Sequence, residues 1–498
     1  LHRLHIALPS SSIRPLIGSL LVGLVVMYAP QILNDGDTYW HLAAGRWMLA
    51  HGQVLKTDVF SFTRFGAPWD AHEWLAECVM ALFQGWGGWS GLLVLFAFAA
   101  GATCWLMIGW LQRHLRGITL AATFLLSACC MAPSLLARPH LLALPCLAAW
   151  MVELLKAREA GRAPHLAFVA LMMAWANLHG SYVFGFLLLG AFGLEALEAK
   201  GARWITLRDW GIFAALSLIA ATITPQGVMG LIYPFKIMGM TTLNAIQEWR
   251  AADFSTLQPF EITLLTTLFV CLSRGVRVPM VRLVLLLLLL HMALQHLRHQ
   301  IILAVVAPLI LAEPVGLALG PSTLPAWPWP RLRPYLLPMA VSLAALAVVA
   351  RLSLPITRGD AIMSPVTALN HVPKDLAVQP VLNDYGYGGY LIFKGVRPFI
   401  DGRADMYGDE FFAAYVKATK PDTAALKDLL ANYRIAWTLF PASDRAATAM
   451  DQQPGWRRLY ADKYAVVHVR TDAAAPKPAT VHLHPAALTS KASPSSKS

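Results

Sequence analysis

Charge is what this sequence has least of. Only 14% of its 498 residues are Asp, Glu, Lys or Arg, and 57% are hydrophobic. Soluble domains carry roughly 25% charged residues. With a mean hydropathy of +0.53, the shortfall excludes an ordinary soluble chain and predicts a polytopic membrane protein. Acidic residues are the scarcer sign, 28 against 40 basic ones, giving a net charge of +12. That excess does not point to nucleic acid, because the basic residues sit in short loops between apolar segments, the positive-inside pattern. Cysteine is thin as well. Of Cys78, Cys104, Cys129, Cys130, Cys146 and Cys271, five lie in apolar segments and none follows Cys271. No spacing suggests a zinc site, and no disulfide framework supports the C-terminal part. The internal repeat common in transporters is missing. The first apolar run has basic flanks, Arg3 and Arg14, but no clear small-x-small cleavage site, so it is expected to be a retained helix.

What the sequence does hold is a series of apolar runs. A helix needs about 20 residues to cross about 30 Å of hydrocarbon. Runs at 16–33, 89–111, 118–136, 139–155, 165–178, 181–197, 210–224, 260–273, 279–296, 299–317 and 335–352 predict about eleven transmembrane helices. The stretch 165–197 also reads as two broken half-helices. With the N-terminus cytoplasmic, the inside loops hold fifteen Lys and Arg, from Arg3 to Arg333, and the outside segments hold seven. An odd number of spans then puts the chain after Leu352 outside. The expected organisation is a membrane module over 1–353, an extracytoplasmic α/β domain over 354–471, and a disordered tail over 472–498 rich in Ala, Pro, Ser and Lys.

The outer segment 34–88 is too long for a simple connector. Apolar spacing predicts surface helices at Tyr39–Ala50 and His72–Gln84, joined by an extended linker at Thr57–Thr63. In the C-terminal part, Pro380–Leu382, Gly389–Phe393, Pro398–Ile400, Ile435–Leu439 and Ala465–Arg470 read as strands. Phe411–Ala418 and Asp422–Tyr433 read as helices.

The topology sends every unusual polar cluster to the outer face. These are Asn34–His41, His72-Glu73, Arg138-Pro139-His140, Asn177–Gly180, Thr224–Gly227, Glu248–Arg250 and Gln295–Gln300. Their shared side predicts one external site. Asp35 and Asp37, two residues apart at a membrane surface, are costly to desolvate and seldom idle there. They can hold a divalent metal or supply a base, or they can simply cap the next helix. His41, His72 and Glu73 extend the candidate metal set, with Mg or Mn the possible ion. Arg138, His140, Arg298 and His299 are candidates to hold a phosphate. Arg138 and Arg298 read equally as lipid-headgroup contacts. His179 and Arg250 are candidate substrate contacts, although His179 also suits a helix–helix hydrogen bond. Tyr387, in the run Asp384–Tyr390, could stack on a sugar or belong to a Gly-Tyr turn. Asp401, Arg403 and Asp405 read as an internal ion-pair cluster.

The run Asp35-Gly36-Asp37-Thr38-Tyr39-Trp40-His41, with Asp58-Val59-Phe60-Ser61 and His72-Glu73-Trp74-Leu75, resembles bacterial GT-C-like membrane proteins. Trp175–Gly180 and Asp401-Gly402-Arg403 fit the same group. The layout resembles the GT-C glycosyltransferases as a whole: a first helix, a long acidic outer loop, many spans and an outer C-terminal domain. That superfamily includes oligosaccharyltransferases, protein mannosyltransferases and lipid A aminoarabinose transferases. The resemblance implies transfer of a sugar from a polyprenyl-phosphate carrier to an envelope glycan, lipid or protein, in the bacterial inner membrane. It also implies that an acidic residue of the first outer loop, here Asp35 or Asp37, acts as base or metal ligand. The Trp-Trp-Asp-Tyr-Gly motif of oligosaccharyltransferases is absent, so peptide glycosylation is not implied. Competing readings are a lipid-linked glycan polymerase or ligase working through Arg and His, a transporter or flippase, and a non-catalytic assembly component.

Overall fold

A computed structural model describes residues 12–198, 203–320, 333–420 and 422–471. The expected tail after Thr471, and the basic residues Arg3, Lys200 and Arg331, lie outside these. Each of the eleven apolar runs contains a helix. Among the described residues, six helices are long and apolar enough to cross a membrane: Trp74–His114, Gly117–Ser134, Pro139–Glu159, Arg203–Ala221, Leu297–Leu319 and Tyr335–Ser353. Ile13–Met27, Ala167–Leu178, Met229–Met238, Pro259–Ser273 and Met280–Gln295 are shorter apolar helices. The run 165–197 is broken at residues 179–181, between Ala167–Leu178 and Tyr182–Glu198.

Burial separates two kinds of helix. Trp74–His114 and Pro139–Glu159 each have 72% of their most apolar window buried, whereas Tyr335–Ser353 has 11%. An apolar helix so exposed is stable only against lipid, since water would penalise its surface. Leu346 and Val349 face outward, while Phe96, Leu144, Trp150, Val305 and Ile310 pack at the centre of the bundle. The chain is a multi-pass membrane protein.

The first outer loop is folded. Helix Gly36–His51 starts where Asp35 accepts hydrogen bonds from the next backbone amides, and stops at Gly52, whose φ of 64° ends the helix. Trp74–His114 breaks at Gly87 and Gly88, the latter at φ 58°. That positive φ suits glycine and turns a surface helix into a spanning one. The stretch Thr57–Thr63, expected as an extended linker, is instead a compact loop. The Asp58 carboxylate accepts from Phe60 N at 2.9 Å and Ser61 Oγ at 2.5 Å, and Thr57 bridges Pro68. The short Asp side chain captures backbone donors that a strand would have used on a neighbour.

Four strands form one sheet in the order β1-β2-β4-β3. They are β1 (Val381–Asn383), β2 (Trp437–Pro441), β3 (Trp456–Ala461) and β4 (Ala465–Arg470). β1 and β2 are parallel, with Val381 opposite Trp437; β4 is antiparallel to β2 and β3. Side chains alternate between two cores: Val381, Trp437, Leu439 and Val467 on one face, and Leu382, Phe440 and Val466 on the other. Helices Ala404–Thr419 and Thr423–Asn432 cover the second face.

Two expected strands are corrected. Gly388–Phe393 is helical, because a five-residue apolar run carries no periodicity that separates strand from helix. Pro398–Ile400 forms no ladder; the Asn383 amide bonds Phe399 N and Ile400 O, both at 2.8 Å. The strand that sequence reasoning missed, β3, lies at the edge and carries Arg457 and Arg458, charges that keep an open edge from pairing with another chain.

Candidate active site

The polar clusters scattered through the sequence meet at one end of the bundle, and Arg138 is their hub. It precedes helix Pro139–Glu159, where the proline at the first position fixes the start. Its Nε donates to Asp35 Oδ2 at 2.6 Å. Its Nη1 meets Asp37 Oδ2 at 3.0 Å and Glu248 Oε2 at 2.6 Å. Glu248 also meets Arg298 Nη1 at 3.3 Å, and the Arg298 guanidinium lies 4.4 Å from the centre of the Trp249 ring.

The two aspartates have different roles. Asp35 caps its helix, accepting from Asp37 N at 2.7 Å and Thr38 N at 3.3 Å, and only 3% of its side chain is accessible. Asp37 keeps 23% accessible, and its other oxygen accepts from Trp40 Nε1 at 3.0 Å. Asp37 is thus partly open to solvent, whereas Asp35 is sealed. Burial pushes the Asp37 carboxyl up; Arg138 pulls it down, Asp35 and Glu248 push it back, and it settles at about 6. Burial would raise Glu248 too, but Arg138 and Arg298 outweigh it and hold Glu248 at about 2.

The segment Asp401-Gly402-Arg403 lies over Asp37. A Cβ at Gly402 would collide with Asp37 Oδ1 and the Trp40 indole nitrogen, so only glycine fits. Tyr385 donates to Gly402 O at 3.1 Å. Arg403 is buried, bound at 2.7 Å by both Asp401 and Asp58, and faces the Trp69 ring at 4.7 Å. This ties the first outer loop to the segment beside the sheet.

A second cluster adjoins the first. Glu73 receives three imidazoles: His179 at 3.3 Å, His72 at 3.6 Å and His41 at 3.8 Å. Burial pushes Glu73 up to about 8, against the pull of Arg298 and Arg138, and lowers all three histidines. The cluster is thus nearly uncharged at neutral pH. His140 packs near His179, with ring centres 6.1 Å apart, and hydrogen-bonds Ser134 O.

Three expected site residues stay outside. Tyr387 is buried beside the sheet, its hydroxyl donating to Tyr464 O at 2.9 Å. It belongs to the core because the Gly-Tyr run folds into a turn and helix. Arg250 is exposed and donates to Asn244 O and Ala245 O of its own turn. His299 packs against Trp249 and Phe184, clear of the carboxylates. The five-residue metal set is split: Asp35 and Asp37 go to Arg138, while His41, His72 and Glu73 form the second cluster. Among the described residues, no three His, Cys, Asp or Glu side chains are grouped to hold an ion. A divalent ion at Asp35 and Asp37 would compete with Arg138 for the same oxygens. Sequence reasoning missed Glu248 as a bridge, and it grouped Asp405 with Asp401 and Arg403, whereas Asp405 accepts a hydrogen bond from Tyr233. Glu248 was marked only by sharing a cluster with Trp249.

The membrane bundle and its small sheet share their fold with solved membrane proteins. Among solved structures, ArnT from Cupriavidus metallidurans in the apo state is similar at 14% identity and a TM-score of 0.52. The same protein bound to undecaprenyl phosphate is similar at 15% identity and 0.51. Each match covers 93% of this chain and 99% of the other. The oligosaccharyltransferase AglB from Archaeoglobus fulgidus, in complex with an inhibitory peptide and a dolichol-phosphate, is more distant, at 10% identity and 0.46. At these identities the likeness is one of fold. No family model and no curated protein matches the chain.

Proposed function

We propose that this protein transfers a sugar from a polyprenyl-phosphate carrier to an acceptor hydroxyl at the extracytoplasmic face of the inner membrane. The observation that carries the reading is the partly open Asp37 carboxylate beside the Arg138–Glu248–Arg298 bridge. It stands in a fold shared with a protein bound to undecaprenyl phosphate. An acceptor hydroxyl is a poor nucleophile, and a carboxyl near pKa 6 is ionised at neutral pH yet a better base than an ordinary aspartate. Asp37 takes the hydroxyl proton as the oxygen attacks the anomeric carbon. The bond from that carbon to the phosphate oxygen breaks, and the polyprenyl phosphate leaves with the electron pair. Arg138 and Arg298 stabilise the charge on the leaving phosphate. In this reading Glu248 bridges the two guanidinium groups where a phosphate oxygen would sit.

The same reading takes all eleven apolar helices as spans, with the N-terminus cytoplasmic and the segment from 354 onward outside. It routes no step through Mg or Mn. The test is transfer from a polyprenyl-phosphate sugar in nanodiscs, with and without chelator. Asp37→Asn should lose about 10²–10⁴-fold in rate while remaining folded. Asp35→Asn, which keeps the cap, should be milder. Full activity in Asp37→Asn would overturn the mechanism, and equal loss in both variants, with chelator sensitivity, would restore a shared metal.

A further inference from the structure

Asp409 grips the segment that carries Glu248. Its carboxylate accepts from the amide and hydroxyl of Thr241, at 2.9 and 3.0 Å. It also accepts from the amide and hydroxyl of Thr242, at 3.0 and 2.5 Å. That is more than an ordinary side-chain cap needs. Thr241 and Thr242 open the tight helical turn Thr241–Ala245, and only Ile246 separates it from the next turn, Gln247–Trp249, which holds Glu248. Asp409 comes from helix Ala404–Thr419, directly after Gly408, whose φ of 76° breaks that helix. Packing does not fix the first turn. A groove of about 310 Å³ lies between Thr242 and Ala245 on one side and Phe412 and Val416 on the other, where a packed interface would leave no such space. Beyond Glu248 the chain is held again: His296 Nδ1 donates to Trp249 O at 2.7 Å, and Leu297 N to Arg250 O at 3.1 Å. Glu248 therefore stands between two fixed points, and Asp409 supplies one of them. Its bonds of 2.6 Å to Arg138 and 3.3 Å to Arg298 leave little room for displacement, since such contacts weaken steeply with distance and angle.

We infer that Asp409 is a positioning residue: it anchors the turn 241–245 so that Glu248 stays between Arg138 and Arg298, and so sets how readily those cations take up the carrier phosphate. The part about the phosphate rests on the transfer reading above; the positioning of Glu248 does not. Two measurements on the full chain in nanodiscs test it. The first is amide hydrogen exchange over 241–250. Asp409→Ala should speed exchange not only at Thr241 and Thr242 but also at Trp249 and Arg250, and Asp409→Asn, which keeps one acceptor oxygen, should do so less. Faster exchange confined to Thr241 and Thr242 would make Asp409 a local cap and overturn the inference, as would unchanged exchange. The second is the affinity for bare undecaprenyl phosphate. Asp409→Ala and Glu248→Gln should each tighten binding about threefold, and Asp409→Ala should add nothing in the Glu248→Gln background, because it acts through Glu248. An equal effect in both backgrounds, or none in either, overturns the inference. Wild-type protein that binds no carrier, or whose binding Arg298→Ala leaves intact, would sink the transfer reading instead, and the exchange result alone would then decide whether Asp409 positions Glu248.

Discussion

Residues of the same type play unlike parts here because their surroundings differ. Asp35 and Asp37 are two positions apart and share Arg138, yet one is sealed at a helix start and the other opens to the outside. Asp37 and Glu73 are both carboxyls raised by burial, to about 6 and about 8. At neutral pH the first is mostly ionised and the second mostly protonated. If Asp37 must be ionised to accept a proton, kcat/KM should fall as pH drops through about 6, and the acid limb should be absent from the residual activity of Asp37→Asn. A limb at the ordinary carboxylate position would remove Asp37 from that role. Glu248 is ionised across this range, since its folded value is about 2. It therefore competes with any anion for Arg138 and Arg298. Glu248→Gln should lower KM for the donor severalfold, whereas a raised KM would make Glu248 an orienting group for the two arginines. Asp35, Asp37 and Arg138 could each be picked out from the sequence. Their division of labour could not, because exposure depends on what packs above them, and that is Gly402, far along the chain.

Among the elements, the first outer loop and the segment before helix Ala404–Thr419 act as one unit, and Arg403 joins them. It is buried among Asp58, Asp401 and the Trp69 ring, and Tyr407 donates to Asp401 at 2.7 Å. Arg403→Met should cost about 3–5 kcal/mol, because Asp58 and Asp401 would be left buried without a counter-charge. Thermal unfolding in detergent and faster protease nicking within 404–471 are the measurements. An unchanged melting temperature would mean the three groups are not held together as described. From Asp401, Arg403 and Asp405, read as one ion-pair cluster, sequence reasoning recovered the Asp401–Arg403 pair. It could not supply Asp58, which lies in a loop expected to be extended, because a contact across more than three hundred positions leaves no local periodicity.

For the molecule as a whole, seven polar clusters separated by apolar helices come to one end of the bundle. The other end carries Arg158 and Arg282 on Glu195 and Arg162 on Glu153. If the basic loops are cytoplasmic, reporter fusions after Gly201 and after Gly359 should read inside and outside respectively. The same answer from both would overturn the orientation or the number of spans. The helices, their approximate limits and the shared side of the polar clusters were determined by the sequence alone, because hydropathy and charge act locally and repeat with each span. Helix starts such as Pro139 and Asp35 were legible for the same reason. The tertiary structure alone decided which carboxylate is open to solvent, that Glu248 bridges two arginines, and that Glu73 gathers three histidines. It also decided that 388–393 is a helix and Tyr387 a core residue. Those outcomes follow from burial and from partners distant in the chain, which fix the electrostatics of a side chain and are absent from its own neighbourhood in sequence.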